Sequence, residues 1–165
     1  NLKIGRRLIM KFKTGLKLAS VVFVSTFILT ACGSEDTTSS TESDKLEDGH
    51  YILEEKNFDD NGWSVVFNMT TEGGKITESD YDYVNDAGDL KSKDAEYQKI
   101  MEEKVGTGPI EYIPVYNKAL VDKQDPSSVE VISGATHSHD LFVEYAQQLV
   151  DAAAEGKTET IEIDN

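Results

Sequence analysis

A break in the sequence pattern at residues 133–136 constrains the fold of this chain more than any other feature. The apolar, β-branched run at 129–132 predicts a short strand before it, and the helical spacing of apolar residues over 142–153 predicts an amphipathic helix after it. The break would then be a small-residue turn at a helix N-terminus. Backbone N–H groups and the helix dipole favour an anion at such a place. The alternative is a plain turn in which Thr136 or Ser138 caps the helix.

The rest of the pattern predicts a single α+β domain. Apolar alternation bounded by Gly-containing turns indicates a meander of three antiparallel strands, and helical periodicity indicates two helices before the turn. A last alternating segment predicts a C-terminal strand. About three helices would therefore pack on one antiparallel sheet. The predicted strands are 48–53, 63–69, 76–84 and 158–163, and the two earlier helices are 95–105 and 109–123.

Residues 1–31 have the composition of a secretory signal peptide, with Met10 as an alternative start. They contain six Lys/Arg and no acidic residue, and their apolar run at 18–29 is short for a membrane-spanning helix. The sequence Leu-Thr-Ala-Cys-Gly at 29–33 resembles the bacterial lipoprotein box. This resemblance implies that Cys32 is lipidated and anchors the chain in a membrane. The alternative is an ordinary signal peptide with a chance cysteine.

Three segments follow from this organisation. Residues 1–31 form the signal peptide, and residues 32–47 contain the lipidated cysteine and an acidic, Ser/Thr-rich stretch that cannot supply a core. Such a stretch predicts a flexible tether of roughly 20 Å average span. Residues 48–165 would form the folded domain.

Charge and residue content exclude several classes of function. The net charge is −15, and beyond residue 31 the chain carries 10 Lys/Arg against 31 Asp/Glu, a net charge of −21. Nucleic acid is therefore not an expected partner. The single cysteine, Cys32, is predicted to carry lipid, which leaves no thiolate for a haem attachment or an iron–sulfur cluster. His137 and His139 do not share a helix face, so we expect an exposed helix start there and no metal site. Asp59 and Asp60 are typical of a turn.

A succession of short motifs from Asp48 to Ile163 resembles the bacterial FMN-binding domain family. That family includes the covalent-FMN subunits of sodium-pumping NADH:quinone reductases and Rnf complexes, and flavinylated lipoproteins of extracellular electron transfer. The matching segments are, in order, Asp48-Gly49-x-Tyr51, Gly62-Trp63, Gly74-Lys75-Ile76, Tyr81-Asp82, Gly88-x-Leu90-Lys91-Ser92, Tyr97, Met101, Asn117-x-x-Leu120, Asp125-Pro126, Val129 and Ser133-Gly134-Ala135-Thr136-x-Ser138.

The resemblance implies a cofactor and the residue that holds it. In that family a flavin transferase uses FAD and Mg²⁺ to join FMN by a phosphoester to the Thr of the motif, which is Thr136 here. Ser133, Gly134 and Ala135 would shape the turn that the transferase recognises. The family often has Asp where this chain has Glu130.

The flavin ring would need an apolar or aromatic bed. Trp63, Tyr81, Tyr83 and Tyr112 are the candidates for it, and each of them has a core position as its alternative.

These expectations together describe an electron carrier at a membrane surface. The protein would be lipid-anchored on the extracytoplasmic face of the cell membrane and would relay electrons from a membrane quinol-linked donor to an external acceptor such as ferric iron. We expect an electron-transfer flavoprotein more than an enzyme with its own substrate, although ferric reductase-like activity fits the same chemistry. The alternative is a non-redox ligand-binding lipoprotein with the same fold.

Overall fold

The computed structural model describes residues 45–165. The predicted signal peptide, Cys32 and the tether up to residue 44 lie outside the described residues. The contacts of the domain begin shortly before Asp48. The backbone N–H of Glu47 donates to the carbonyl oxygen of Ala153 at 2.9 Å, and Leu46 packs against the core. No helix within residues 45–165 has the length and apolar character needed to cross a bilayer.

A four-stranded sheet forms one layer of the domain. Its strands are β1 (Gly49–Glu55), β2 (Ser64–Glu72), β3 (Lys75–Val84) and β4 (Ile161–Ile163), and their order across the sheet is β3-β2-β1-β4. The first three strands form the predicted antiparallel meander. Strand β4 is shorter than predicted and pairs parallel to β1 over three residues. The predicted α+β class is confirmed, with a sheet that is mostly antiparallel.

The described chain has three α-helices: α1 (Ala95–Val105), α2 (Pro109–Lys123) and α3 (Thr136–Glu155). Helices α2 and α3 pack on the sheet, and α1 packs against α2. Helix α1 begins where the Asp94 carboxylate accepts from two backbone N–H groups of the first turn, and it ends at Gly106 in the left-handed conformation. Helix α2 begins with Pro109, whose fixed φ suits a first helical position. These local signals explain why the predicted bounds of α1 and α2 agree with the structure.

The strand predicted at 129–132 is wrong. No partner strand lies beside this segment in the described chain, and side chains bond its backbone instead. The carbonyl oxygen of Val129 lies 2.9 Å from Nε2 of His139, and the N–H of Ile132 donates to the Tyr116 hydroxyl at 3.3 Å. Because these bonds replace a strand ladder, the β-branched residues form an extended connector, and Val131 is exposed.

The core lies between the sheet and the helices and is rich in aromatic rings. Phe142 of α3 is fully buried and stacks on Phe67 of β2 with ring centroids 5.3 Å apart. Its ring also meets Tyr81 edge-on at 5.1 Å and Tyr116 of α2 at 5.5 Å. One side chain thus joins two helices and two strands, which fixes the start of α3 relative to the sheet.

Candidate functional site

A cavity of about 460 Å³ lies where the N-terminal turn of α3 meets the aromatic end of the sheet. This volume falls within the range of roughly 300–1,000 Å³ that is usual for small-molecule sites. The lining combines residues of the predicted turn, five aromatic side chains, three acidic residues and one lysine. Its members are Glu55, Asp59, Asp60, Asn61, Trp63, Tyr83, Lys91, Tyr97, Met101, Tyr112, Gly134, Ala135, His137, Ser138, Leu141, Tyr145 and Asn165.

The predicted turn packs against the C-terminal end of α1. Gly134 has φ +88°, and a Cβ there would lie only 2.5 Å from the carbonyl oxygen of Val105. Position 134 therefore requires glycine, because other residues rarely adopt this left-handed conformation and a side chain would collide with the Val105 carbonyl oxygen. Ala135 is buried and lines the cavity, whereas Ser133 and Thr136 are exposed. An exposed hydroxyl on Thr136 is accessible to an enzyme that would modify it.

No side chain within residues 45–165 caps the N-terminus of helix α3. Its N-cap residue is Ala135, so the alternative with Thr136 or Ser138 as cap is wrong. The Ser138 hydroxyl instead donates to the Tyr112 hydroxyl at 3.1 Å. The backbone N–H groups of the first helical turn and the positive end of the helix dipole therefore face the loop at 133–135. No carboxylate or hydroxyl at the start of α3 caps them.

Two buried ring side chains hold the turn in place. The Tyr116 hydroxyl lies 3.4 Å from the carbonyl oxygen of Ala135, and its ring packs edge-on against His139 at 5.6 Å. The His139 side chain is only 17% exposed, so the expectation of an exposed helix start is wrong for this residue. It holds for His137, which is exposed and lines the cavity. Residues 45–165 contain no group of three or more His, Cys, Asp or Glu placed to hold a metal ion.

Three of the four aromatic residues proposed as a ring bed line the cavity. They are Trp63, Tyr83 and Tyr112. Tyr81 does not line it, because the side chain is fully buried and its hydroxyl donates to that of Tyr83 at 2.7 Å. Tyr145 was not found from the sequence as a cavity residue. Its helical spacing with Phe142 could have indicated a buried position, but no local signal indicated a cavity.

Tyr97 adds an aromatic edge on the α1 side. Its ring meets Trp63 in an edge-on arrangement with centroids 5.9 Å apart. Tyr97 is one of the residues that carry the family resemblance, but its place in the cavity could not be predicted, because the cavity forms from distant segments. Burial raises the pKa of the Tyr97 phenol, as it does the pKa of Tyr83, Tyr112 and Tyr145. These tyrosines therefore stay neutral near neutral pH, and Tyr83, Tyr97 and Tyr112 offer hydroxyl donors, whereas the Tyr145 hydroxyl already donates to Glu55.

Two carboxylates of the lining are used to build the site. The Glu55 carboxylate accepts from the Val65 N–H at 2.8 Å and from the Tyr145 hydroxyl at 2.7 Å. The Asp59 carboxylate accepts from the Trp63 N–H at 2.9 Å, and this bond fixes the backbone of the tryptophan. Asp59 is thus a turn residue, as the sequence predicts, and it also positions one wall of the cavity.

Among the described residues that line the cavity, Lys91 is the only lysine or arginine. Its residue is 5% exposed, and its ammonium nitrogen lies over the rings of Tyr83, Tyr97 and Trp63, at 4.1, 4.7 and 5.5 Å from their centroids. Burial lowers the pKa of Lys91. The sequence analysis placed Lys91 in a motif and gave it no role, because only the fold brings the three rings around it.

Comparison with known proteins gives one curated relative and one solved structure of high similarity. No family model matches the chain. It is 34% identical over 116 residues to the 15 kDa lipoprotein of Treponema pallidum (strain Nichols), a match that covers 70% of this chain and 82% of that protein. The crystal structure of the CPE2226 protein from Clostridium perfringens superposes with a TM-score of 0.68 at 37% identity, covering 73% of this chain and 98% of that chain.

Proposed function

The chain belongs to the family of the bacterial 15 kDa lipoprotein of Treponema pallidum, and from this premise we propose that it is a lipid-anchored flavoprotein carrying covalent FMN. The FMN would be joined to Thr136. The protein would act on the extracytoplasmic face of the membrane and pass electrons from a membrane donor to an external acceptor. The lipid would be attached at Cys32.

One observation carries the proposal. Gly134 and Ala135, which precede Thr136 in the predicted turn, line a cavity whose wall includes three of the aromatic residues expected beside a flavin ring, although Ser133 and Thr136 are not among the lining residues. Gly134 and Ala135 line the cavity at one end, and Trp63, Tyr83 and Tyr112 line it elsewhere. A ligand with a phosphate at one end and a flat, partly apolar ring at the other matches this lining.

The residues around the turn fit a phosphoester of FMN. Thr136 is exposed and is the first residue of α3, so a transferase can approach its hydroxyl. In the transfer, the Thr136 oxygen forms a bond to the FMN phosphorus of FAD, the bond to the AMP phosphate breaks, and AMP leaves with the hydroxyl proton released to solvent. The resulting phosphodiester is an anion, and the uncapped N-terminus of α3 stabilises negative charge at this place.

When bound, FMN supplies the reversible uptake of electrons, which none of the protein side chains here provides at moderate potentials. The chain's own part is to hold the ring. The neutral phenols of Tyr83, Tyr97 and Tyr112 offer hydrogen-bond donors, and the Trp63 indole offers an apolar face. A cofactor fixed to the protein cannot diffuse, so partners must approach it. Attachment at Cys32 would keep the domain close to a membrane donor.

The test is in-gel flavin fluorescence after denaturing electrophoresis of protein produced together with a flavin transferase. We expect a fluorescent band for the wild type and for Thr158→Ala, an exposed threonine remote from the turn. Thr136→Ala should give an equal amount of protein without fluorescence. A fluorescent Thr136→Ala band would contradict the assignment of the attachment site. A wild type without fluorescence would favour a non-redox ligand-binding lipoprotein.

A further inference from the structure

Lys91 is held in an unusual environment for a lysine. It begins the 3-10 turn Lys91–Lys93, and its side chain passes inward until the ammonium nitrogen lies among the faces of Trp63, Tyr83 and Tyr97. All three rings line the cavity, and so does Lys91 itself. The ammonium group is therefore presented to the cavity from inside an aromatic cage.

No protein anion neutralises this charge at contact distance. Among residues 45–165, no carboxylate oxygen lies within 4.0 Å of the Lys91 ammonium. Asp82 is buried nearby, but its carboxylate accepts from the N–H groups of Tyr83 and Ser92 and from the Ser92 hydroxyl. These hydrogen bonds fix the turn that carries Lys91 and so position the lysine. The Asp82 carboxylate forms no ion pair with the Lys91 ammonium.

A buried cation without a paired carboxylate opposes folding, since aromatic faces replace only part of its hydration. An apolar side chain of similar length would fill the same cage at lower cost. A charge kept under such conditions beside a ligand cavity indicates a use in the ligand-bound state.

We infer that Lys91 is the positioned positive charge that the cavity presents to the flavin ring, and that it raises the ring's reduction potential. The inference rests on the proposed function. Each electron that the ring takes from a donor adds one negative charge, unless a proton from solvent follows it. A fixed cation in a partly buried cavity favours that added charge. Lys91 gains no electron, keeps its proton and forms no bond.

The inference separates two tasks within one site. The turn at Ser133–Thr136 would hold the phosphate end, and Lys91 would act on the ring end. Removing Lys91 should therefore change the properties of bound flavin without preventing its attachment.

The test compares three flavin-loaded variants with the wild type. Lys91→Met removes the charge at similar length, Lys91→Arg keeps a cation that stacks on aromatic rings, and Lys93→Met removes an exposed charge from the same turn. The measurements are flavin content by intact mass, cooperative thermal unfolding, and midpoint potential at mildly acidic pH, where the Lys91 amine carries its proton.

Lys91→Met should carry the same flavin content, unfold cooperatively, and have a more negative midpoint potential. The potential falls because a nearby cation no longer stabilises the negative charge that each added electron brings. Glu55, Asp59 and Asp82, and the tyrosines Tyr83, Tyr97, Tyr112 and Tyr145, are present in every variant, so the comparison isolates Lys91. Lys91→Arg should restore most of the potential, and Lys93→Met should match the wild type.

Several results would overturn the inference. An unchanged midpoint potential in Lys91→Met would show that Lys91 has a structural role only, most clearly if thermal stability fell. Equal shifts in Lys93→Met would point to overall charge. Loss of flavin from Lys91→Met would place Lys91 in attachment and not in tuning. A wild type without covalent flavin would contradict the proposed function itself and the inference with it, and flavin content in the same experiment distinguishes that failure.

Discussion

At the scale of single residues, Gly134 decides whether the turn before α3 can form. Its φ of +88° and the 2.5 Å from a Cβ to the Val105 carbonyl oxygen leave no room for a side chain. The resemblance implies that this glycine helps to shape a turn that a transferase recognises. The structure shows that it also lies close to the backbone at the end of α1.

Gly134→Ala should destabilise the protein by about 1–3 kcal/mol, because the left-handed conformation and the backbone contact both oppose a Cβ. Urea unfolding monitored by tryptophan fluorescence measures this directly. Ser133→Ala is the matched control, since Ser133 is exposed and its neighbour in the same turn. It should change stability by less than about 0.5 kcal/mol. Equal effects of the two substitutions would show that the contact at Gly134 is not decisive.

The buried ammonium of Lys91 predicts a pH dependence of stability. Burial lowers the pKa of Lys91 below its ordinary value of 10.5, while Asp59, Asp82 and Glu55 oppose the change. At low pH both the folded and unfolded states carry the charge, and folding bears its full cost. As pH rises through the folded-state pKa toward 10.5, only the unfolded chain keeps the proton, and the cost disappears.

The free energy of unfolding of the wild type should therefore rise relative to that of Lys91→Met as pH increases from neutral toward 10.5. Denaturant unfolding of both proteins across this range measures the difference, and titrations common to both cancel. A difference that stays constant with pH would mean that Lys91 keeps an ordinary pKa in the folded protein.

At the scale of elements, two amide side chains of the α2 region cover the free edge of the sheet. Asn117 accepts from the Tyr81 N–H at 2.8 Å and donates to the Tyr81 carbonyl oxygen at 3.0 Å. Gln124 makes the same pair of bonds to Ile76, both at 2.8 Å. These amides act as a substitute for a neighbouring strand, which satisfies the edge and blocks pairing with another chain.

Asn117→Ala should cost about 2 kcal/mol, because it leaves two backbone groups of β3 without partners beneath a helix. Chemical denaturation gives the value. Lys118→Ala changes the next residue along α2, an exposed lysine paired only with Asp122, and should be within about 0.5 kcal/mol of the wild type. A loss below that limit for Asn117→Ala would show that water replaces the amide at this edge.

Sequence pattern alone located the helices where local signals were strong. Asp94, Gly106 and Pro109 are such signals, because each acts on the backbone of its own segment. The strand at 129–132 was predicted wrongly because β-propensity records side-chain preference and not whether a partner strand exists. Ile100 lies three residues after Tyr97, at helical spacing, yet it is 48% exposed, since α1 packs at the edge of the domain.

The candidate site likewise has one part that the sequence indicates and another part that only the fold brings together. The Ser133–Thr136 turn is local in sequence and was found from it, with its place at the start of α3. The cage around Lys91 joins β3, the segment before β2 and helix α1, so no window of sequence contains it. Only the packing of these elements shows that Lys91, from the motif at 88–92, belongs to the wall of the cavity.

At the scale of the whole molecule, we expect the negative charge to influence how partners reach the domain. Beyond residue 31 the chain carries a net charge of −21, which should favour encounters with cationic acceptors. Electron transfer from the reduced, flavin-loaded protein to a cationic metal complex should slow as salt rises, because the Debye length is about 8 Å at physiological ionic strength. Transfer to an anionic complex is the matched control and should become faster. Equal salt responses would show that steering by charge plays no part.

The most direct test of this account is the intact mass of the protein made with and without an active flavin transferase. We predict a gain of one FMN less one water only when the transferase is present, with the added group mapped to Thr136 by peptide fragmentation. Thr158→Ala should gain the same mass, and Thr136→Ala should gain none. An unmodified wild type beside a control substrate that the same transferase has modified would contradict the account, as would a flavin mapped to any other residue.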